Sequence, residues 1–124
     1  AILIPHAPAG AVGDFIKLGA RRYLVISIAM VAAVIAADEA GVIHHASVAV
    51  GSCSEVAKRL HDLEAVLVGQ PLAAAPDLIE NAHFAALKPI GDLRASGHFR
   101  DSAARDLVRD LFVRMSAAPK RRAA

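Results

Sequence analysis

Three basic residues stand close together just before the longest uncharged block of the chain. Lys17, Arg21 and Arg22 precede residues 23–37, which carry no charge. A lysine held at the entry of a rigid strand can present its charge to an anionic or electron-accepting ligand, whereas a lysine in a hydrated loop faces only solvent. Composition does not choose between these two interpretations, so both stay open at this point.

The other reactive side chains form no recognisable catalytic or metal-binding pattern. His44 and His45 are neighbours in a predicted strand, so they point to opposite faces and do not easily share a metal. Cys53 lies in GSCSE, before a predicted helix, where a thiol can be activated, but no base partner is evident and we interpret it as structural. Because HExxH, CxxC, P-loop and GxGxxG motifs are also absent, we predict no catalytic residue and no metal ligand in this chain.

Composition and charge exclude some classes of function. The chain has 124 residues, which suits one domain spanning 1–124, and 56% of them are hydrophobic, enough for a core. The net charge is +2, and much of the basicity sits in a tail of Lys120, Arg121 and Arg122 after Pro119, which we predict to be a solvated end. Nucleic-acid modules combine a basic face with aromatic platforms, and only 4% of this chain is aromatic, so nucleic-acid binding is not expected.

The cysteine count and the first residues bear on location and on domain context. A single cysteine excludes an intrachain disulfide and fits a reducing compartment, so we predict a cytoplasmic location. No signal-peptide pattern is visible. Residues 1–5, AILIP, already have the composition of a strand closed by Pro5, so we expect the chain to be part of a longer protein.

The uncharged block is interpreted as a strand and not as a membrane anchor. Residues 23–37 are shorter than the roughly 18–20 apolar residues that a spanning helix needs. The block is rich in β-branched residues, namely Val25, Ile26, Ile28, Val31, Val34 and Ile35. It therefore predicts a central buried strand over 25–37, joined by a turn at 38–41 to a second strand in a hairpin. In that second strand, alternation places one set of residues on a shared face: Val42, His44, Ala46, Val48 and Val50.

The pattern changes from strands to helices along the chain. DFIKLG, residues 14–19, predicts a short strand before the central one. Helical spacing after Ser54 predicts helices over 58–68, 76–87 and 99–115, the last with i,i+4 ion pairs Asp101–Arg105 and Asp110–Arg114. Strands first and helices afterwards predict an α+β domain, in which an antiparallel sheet of three or four strands is followed by three helices packed on one face.

Three motifs in order resemble one known family. The first motif is FIKLGARR, which has an aromatic residue, then K-x-G-x-R and a second basic residue. The second is ASVAVGS followed by EAVLVGQPL, with a G-x-P-L corner at 69–72. The third is PIGDLRASGHFR, which contains Pro89, Asp92, Arg94, Ser96 and Arg100. Together they resemble the C-terminal domain of the FAD-binding (medium) subunit of molybdenum hydroxylases, the xanthine dehydrogenase and aerobic carbon monoxide dehydrogenase family. The chain departs from the family pattern at Val25, where an aspartate is usual, and at Met30, where a polar residue is usual; the usual proline near Cys53 and Ser54 is also missing.

The resemblance implies a role in electron transfer. Subunits of this family hold FAD and receive electrons from 2Fe–2S clusters in an iron–sulfur subunit. Those clusters receive their electrons from a molybdopterin-binding subunit. The FAD-binding subunit then passes the electrons to an acceptor. It implies that this chain is the C-terminal domain of such an oxidoreductase subunit, that the main FAD-binding domains lie upstream, and that the domain alone is not catalytic. It also implies that Lys17 and Arg21 lie near the cofactor.

A second function stays open beside this one. The same sheet-plus-helices arrangement suits a non-catalytic interaction or dimerisation domain, with Lys17 merely solvated and the apolar helix faces used for self-association. Whether the chain forms a homo-oligomer is therefore also left open.

Overall fold

The computed structural model describes residues 1–23 and 25–118. Four strands form one antiparallel sheet in the order of the chain: β1 (Val12–Leu18), β2 (Ala29–Ala37), β3 (Ile43–Gly51) and β4 (Lys58–Arg59). The helical elements follow: α1 (His61–Leu67), two 3₁₀ helices (Leu72–Leu78 and Asn81–Phe84) and α2 (Gly97–Ala117). The α+β fold class predicted from the sequence is confirmed. The basic tail of residues 120–122 lies outside the described residues.

The central strand begins later than the sequence suggested. β2 starts at Ala29, so Val25–Ile28 belong to the connection from β1 and the predicted start at residue 25 is wrong. The Ile28 N–H donates to the carbonyl oxygen of Leu18 at 2.8 Å, which closes residues 19–28 into a loop at the point where pairing begins. β-branched composition marked the strand type but not its first paired residue, because pairing depends on the partner strand.

The prediction of a strand over residues 1–5 is also wrong. These residues join no strand, and Ile2, Leu3 and Ile4 are 82–93% exposed. Apolar, β-branched composition does not make a strand without a partner to accept its hydrogen bonds, and here β1 forms the edge of the sheet.

A bulge changes the side-chain alternation in β3. Ala36 pairs with His45 and Ala37 with Ile43, so His44 is an extra residue in the ladder. Ile43 and Ala46 are buried while His44 is exposed. The predicted shared face is therefore right for Ala46, Val48 and Val50 but wrong for Val42 and His44, because a single inserted residue shifts the period of two.

The predicted helix over 58–68 is shorter, because its first residues extend the sheet. Lys58 pairs with Val50 and Arg59 with Ala49, which makes β4, and α1 begins at His61. Glu64 on α1 then continues the ladder where β4 ends. Its Oε1 accepts the Val48 N–H at 2.8 Å, and its carboxylate is bound by Arg59. Burial alone would raise the pKa of Glu64, but the hydrogen bonds from Arg59 and from Val48 outweigh burial and hold that pKa below 4.5.

We expect Glu64→Gln to lower the free energy of unfolding by about 1 kcal/mol at neutral pH, since a charge-assisted pair becomes a neutral one. The carboxylate has a lowered pKa in the folded state. Its contribution is therefore complete above the unfolded value near 4.5 and is lost as the pH falls through the folded value. Urea unfolding at a series of pH values checks this. The gap between wild type and variant should close below pH 4.5, and Asp62→Asn, which neutralises an exposed acid on the same helix, should show no comparable gap.

The predicted helix over 76–87 is replaced by two 3₁₀ helices. Pro76 lies inside the first of them, where the missing N–H and the bulk of the ring oppose a regular α-helix. Glu80 caps the second, and its backbone N–H donates to His83 Nδ1 at 3.1 Å. The break lies after Pro76, at Ile79 and Glu80, which both have extended backbones, so residues 76–87 do not form one α-helix.

The last helix contributes several fully buried side chains to the hydrophobic core. α2 confirms the predicted element, and Ala104, Val108, Leu111 and Phe112 are fully buried beneath the sheet and the 3₁₀ helices. The Asp101–Arg105 ion pair is present. Arg114 does not follow its prediction. Instead of staying on its own helix, it reaches β1, where it donates to Asp14 Oδ2 at 2.7 Å and to the carbonyl oxygen of Phe15. A charged side chain thus occupies a backbone acceptor of the edge strand, one means of blocking unwanted strand pairing.

Candidate functional site

Lys17 lies at one end of the sheet, on the face opposite the core. It pairs with Met30, which pairs with Gly51, so these three residues form a row across β1, β2 and β3. The side chain is exposed, and its Nζ donates to the carbonyl oxygen of Val25 at 2.8 Å. We call this end of the sheet, bounded by Leu18, Ala29 and Gly51, the Lys17 end. The ammonium group is thus tethered by one contact while remaining open to solvent.

The loop over 19–28 carries the other predicted basic residues. Arg21 and Arg22 are both exposed, and the Arg22 guanidinium carbon lies 5.4 Å from the centre of the Tyr23 ring, a cation–π arrangement. The structure therefore brings Lys17 and Arg21 to the same end of the sheet, one on β1 and one in the loop that follows it.

Both departures from the family pattern lie beside glycines at this end. A Cβ at Gly19 would overlap Val25 Cγ1, and a Cβ at Gly51 would lie 2.7 Å from Met30 Cγ. Val25 therefore packs on Gly19 while its carbonyl oxygen holds Lys17, and Met30 lies over Gly51. At both positions an apolar side chain fills the space beside a glycine, so the substitutions are accommodated without a gap.

Residues 89–100, which carry the third motif, also contact the Lys17 end, through Arg100. Arg100 is only 4% exposed, and its Nη1 donates to the carbonyl oxygens of Ile28 and Ser52. Its Nη2 donates to Asp92 Oδ1 at 2.9 Å. One guanidinium therefore joins the start of β2, the end of β3 and residues 89–96, which precede α2 and which we call the motif loop.

Asp92 organises the motif loop around that guanidinium. Its carboxylate accepts the backbone N–H groups of Arg94 and Ala95, and its Oδ2 pairs with Arg94 Nη1 at 2.7 Å. The Arg94 N–H and the Arg100 guanidinium hold the pKa of Asp92 below its usual value of 3.8. Ser96 completes the motif by capping α2, since its Oγ accepts the Phe99 N–H at 3.1 Å.

The corner of the second motif lies elsewhere. The corner at 69–72 packs at the opposite end of the sheet, where Gly69 donates its N–H to the Ile43 carbonyl oxygen and Pro71 bridges to Val42. Gly69 has φ +87°, a conformation that favours glycine. The first and third motifs thus converge at the Lys17 end, whereas the second runs from Gly51 at that end to its corner at the far end of the sheet.

The cysteine and histidine interpretations agree with this geometry. Cys53 is fully buried, its Sγ contacts the carbonyl oxygen of Arg100 at 3.6 Å, and burial raises the pKa of its thiol, which supports a structural role. His45 contacts Ser47 at 3.1 Å, while His44 is the exposed bulge residue. Within 1–23 and 25–118, no group of three or more His, Cys, Asp or Glu residues could hold a metal ion. No helix in the same ranges is long and apolar enough to cross a bilayer.

Two structural roles were not identified from the sequence. Glu64 lies in a helical pattern and gives no sign that it caps a strand, because its partner Val48 is 16 residues away. Arg100 was placed by its motif, but its burial was not foreseen, since arginine is rarely buried unless it is paired. The run of Asp92, Arg94 and Arg100 is the signal that could have indicated such a pairing.

Comparison with known proteins agrees with this arrangement. The family model for the CO dehydrogenase flavoprotein C-terminal domain matches residues 14–115. A search of curated proteins finds no significant match.

Solved structures show the same fold. The reconstituted CO dehydrogenase from Oligotropha carboxidovorans is 24% identical with a TM-score of 0.74, over 94% of this chain and 40% of its own. The CO dehydrogenase from Hydrogenophaga pseudoflava, in a form that lacks the Mo-pyranopterin moiety, is 24% identical with a TM-score of 0.72, over 89% and 38%. Quinoline 2-oxidoreductase from Pseudomonas putida 86 is 23% identical with a TM-score of 0.71, over 88% and 38%. This chain therefore spans about two fifths of the length of each of these chains.

Proposed function

Because the chain belongs to the CO dehydrogenase flavoprotein C-terminal domain family, we propose that it is the C-terminal domain of the FAD-binding subunit of a molybdenum-dependent oxidoreductase. In this proposal the domain helps to enclose FAD and is part of an enzyme without turning over substrate itself. The observation that carries the proposal is the family match over residues 14–115, together with the convergence of two family motifs at the Lys17 end.

The residues at the Lys17 end fit a planar, electron-accepting cofactor. On the outer face of the sheet near Lys17, Phe15 pairs with Ala32 and Ala32 with Ala49, so one aromatic and two small side chains share this face. Ala32 is exposed and Phe15 is 64% exposed, so this face is open to a flat partner. When bound, FAD supplies the electron-accepting ring. Lys17 and Arg21 would place positive charge near that ring, which favours the reduced cofactor and raises its reduction potential.

The partners follow from the same assignment. The electron donors in this proposal are a 2Fe–2S subunit and a molybdopterin-binding subunit, which hold those groups themselves. In this proposal the chain itself contributes a surface and a charge. A cytoplasmic location belongs to the same proposal, and it is supported by the single, buried and unpaired Cys53.

Replacement of Lys17 tests the proposal. In the flavoprotein subunit containing this chain, we expect Lys17→Ala to weaken FAD binding and to lower the flavin midpoint potential by about 30 mV, the equivalent of about 1.4 kcal/mol for a two-electron couple. The measurements are a potentiometric titration and a fluorescence titration of the apoprotein with FAD.

Two further variants separate charge from structure. Lys17→Arg keeps the charge and should restore most of the potential, whereas Lys58→Ala removes an exposed charge on β4 and should change neither quantity. An unchanged potential and an unchanged affinity in Lys17→Ala would show that Lys17 serves only to tether Val25. A purified full subunit that binds no flavin would refute the broader assignment.

The alternative of a dimerisation domain loses its main support. It depended on the apolar helix faces being available for self-association. In the structure Leu111 and Met115 face the core, and Val108 is fully buried. This apolar face of α2 is used within the fold, so we retain the flavoprotein assignment.

A further inference from the structure

A cavity of about 250 Å³ opens beside the Lys17 end, between the 19–28 loop, the end of β3 and the motif loop. We call it the serine cleft, and its lining includes Ile26, Ser27, Ser52, Asp92, Arg94 and Arg100. It is smaller than the roughly 300–1,000 Å³ of pockets that take drug-sized ligands. A site of this size suits a small ion or a single chemical group.

Several hydrogen-bond donors in the cleft are not engaged. Ser52 Oγ has no partner among the described residues, and Ser27 Oγ has only a long contact of 3.9 Å to Met30 Sδ. Arg94 commits Nη1 and its backbone N–H to Asp92, which leaves the rest of its guanidinium donors without a partner in the described chain. These groups come from three separate segments, so they can approach one ligand from different directions.

The charge in the cleft favours an anion. Arg94 and Arg100 contribute two positive charges against one negative charge from Asp92. Arg100 is buried, and its Nε has no hydrogen-bond partner in the described residues, so part of its charge is not offset locally. Asp92 is occupied by donors on both oxygens, so it has little capacity to take a cation.

The backbone at the cleft supplies an independent indication. Ser52 has φ +64°, and it is the only non-glycine residue with positive φ in the described chain. Such a conformation is strained in a non-glycine residue and is concentrated at active sites and ligand-binding sites. A glycine would avoid that strain, but it would also remove the hydroxyl group from the cleft.

We propose that the serine cleft binds a small tetrahedral oxoanion, a phosphate group, through Arg94 and the hydroxyl groups of Ser27 and Ser52. The ligand is either free phosphate or the phosphate of a larger molecule whose remainder stays outside the cleft. This site is separate from the flavin contacts proposed for Lys17 and Arg21.

Titration of the chain with inorganic phosphate tests the site directly. At constant ionic strength we expect saturable binding, followed by isothermal calorimetry and by amide chemical shifts around Ser52 and Arg94. Arg94→Gln should weaken binding about tenfold, because a charge-assisted contact is lost, and Ser52→Ala should weaken it about fivefold. Arg94 is half-exposed, so we expect its replacement to leave the fold intact, and a circular dichroism spectrum of the variant checks this.

The matched control is Lys58→Gln, which removes one positive charge from the exposed surface of β4. It should leave phosphate binding unchanged within twofold. Equal weakening in Lys58→Gln and Arg94→Gln, or the absence of saturable binding, would overturn the proposal. A parallel titration with adenosine monophosphate distinguishes the sources, since tighter binding than inorganic phosphate indicates the phosphate of a larger ligand. None of these readouts involves flavin, so failure here leaves the flavoprotein assignment untouched.

Discussion

Replacing Arg100 by methionine should lower the free energy of unfolding by about 3–4 kcal/mol. The substitution keeps much of the apolar stem but removes every donor of the guanidinium. The carbonyl oxygens of Ile28 and Ser52 then lose their donor inside the fold, and Asp92 loses its buried partner. Urea unfolding followed by circular dichroism measures the loss, and the expected change is in the midpoint with little change in slope.

Arg94→Met is the matched control for this experiment. Arg94 binds the same carboxylate as Arg100, but it is 44% exposed on its side chain, so its ion pair is screened by solvent. We expect a loss below about 1 kcal/mol for this variant. If Arg94→Met and Arg100→Met cost the same, then burial of the guanidinium does not set its contribution, and the account of this network is wrong.

A second readout reports on the same network without unfolding the protein. Cys53 is fully buried against the Arg100 carbonyl oxygen, and burial raises the pKa of its thiol. Loosening of this region in Arg100→Met should expose the thiol and speed its reaction with a thiol reagent at neutral pH. The rate in Arg94→Met should stay close to that of the wild type.

The local sequence pattern predicted which helices and strands the fold contains better than it predicted the residues at which they begin and end. The period of four in α2 and the β-branched run of β2 were sufficient to predict a helix and a strand, because both patterns indicate a face that must be buried. The errors arose where a residue distant in the sequence determines whether a segment pairs as a strand. β2 begins where Leu18 accepts a hydrogen bond from Ile28, and β4 exists only because β3 offers an edge to Lys58 and Arg59. Neither partnership is visible within a window of neighbouring residues.

The candidate site was predictable in part for the same reason. Lys17 and Arg21 became candidates because both lie in one short segment of basic residues, and their contact with a cofactor stays a prediction. The serine cleft was not predicted, since Ser27, Ser52 and Arg94 come from three segments that only the fold brings together. Resemblance to a family located the motif of Asp92 and Arg100, but it did not reveal that the two form an ion pair.

Gly97→Ala should cost about 2 kcal/mol although it adds a single methyl group. Gly97 is the first residue of α2, and a Cβ there would lie 2.8 Å from the carbonyl oxygen of Pro89. That atom belongs to the backbone of the motif loop, so the loop must move away from the helix. Movement of the loop carries Asp92 with it, and we therefore expect weakening of the Asp92–Arg100 pair as well as the steric loss. Urea unfolding and the reactivity of Cys53 measure the two effects separately.

Gly51→Ala is the comparison that isolates the role of backbone rigidity. A Cβ at Gly51 would come even closer to its neighbour, 2.7 Å from Met30 Cγ, but that atom belongs to a flexible side chain on an exposed face. Met30 can turn away at small cost, since methionine adapts easily to changes in its surroundings. We expect a loss below about 1 kcal/mol for Gly51→Ala. The closer contact should thus be the cheaper one, because the cost depends on whether the neighbouring atom can move. Equal losses of unfolding free energy in the two variants would mean that the motif loop is no more rigid than a surface methionine. In that case its Asp92–Arg100 pair could not hold the Lys17 end in one arrangement.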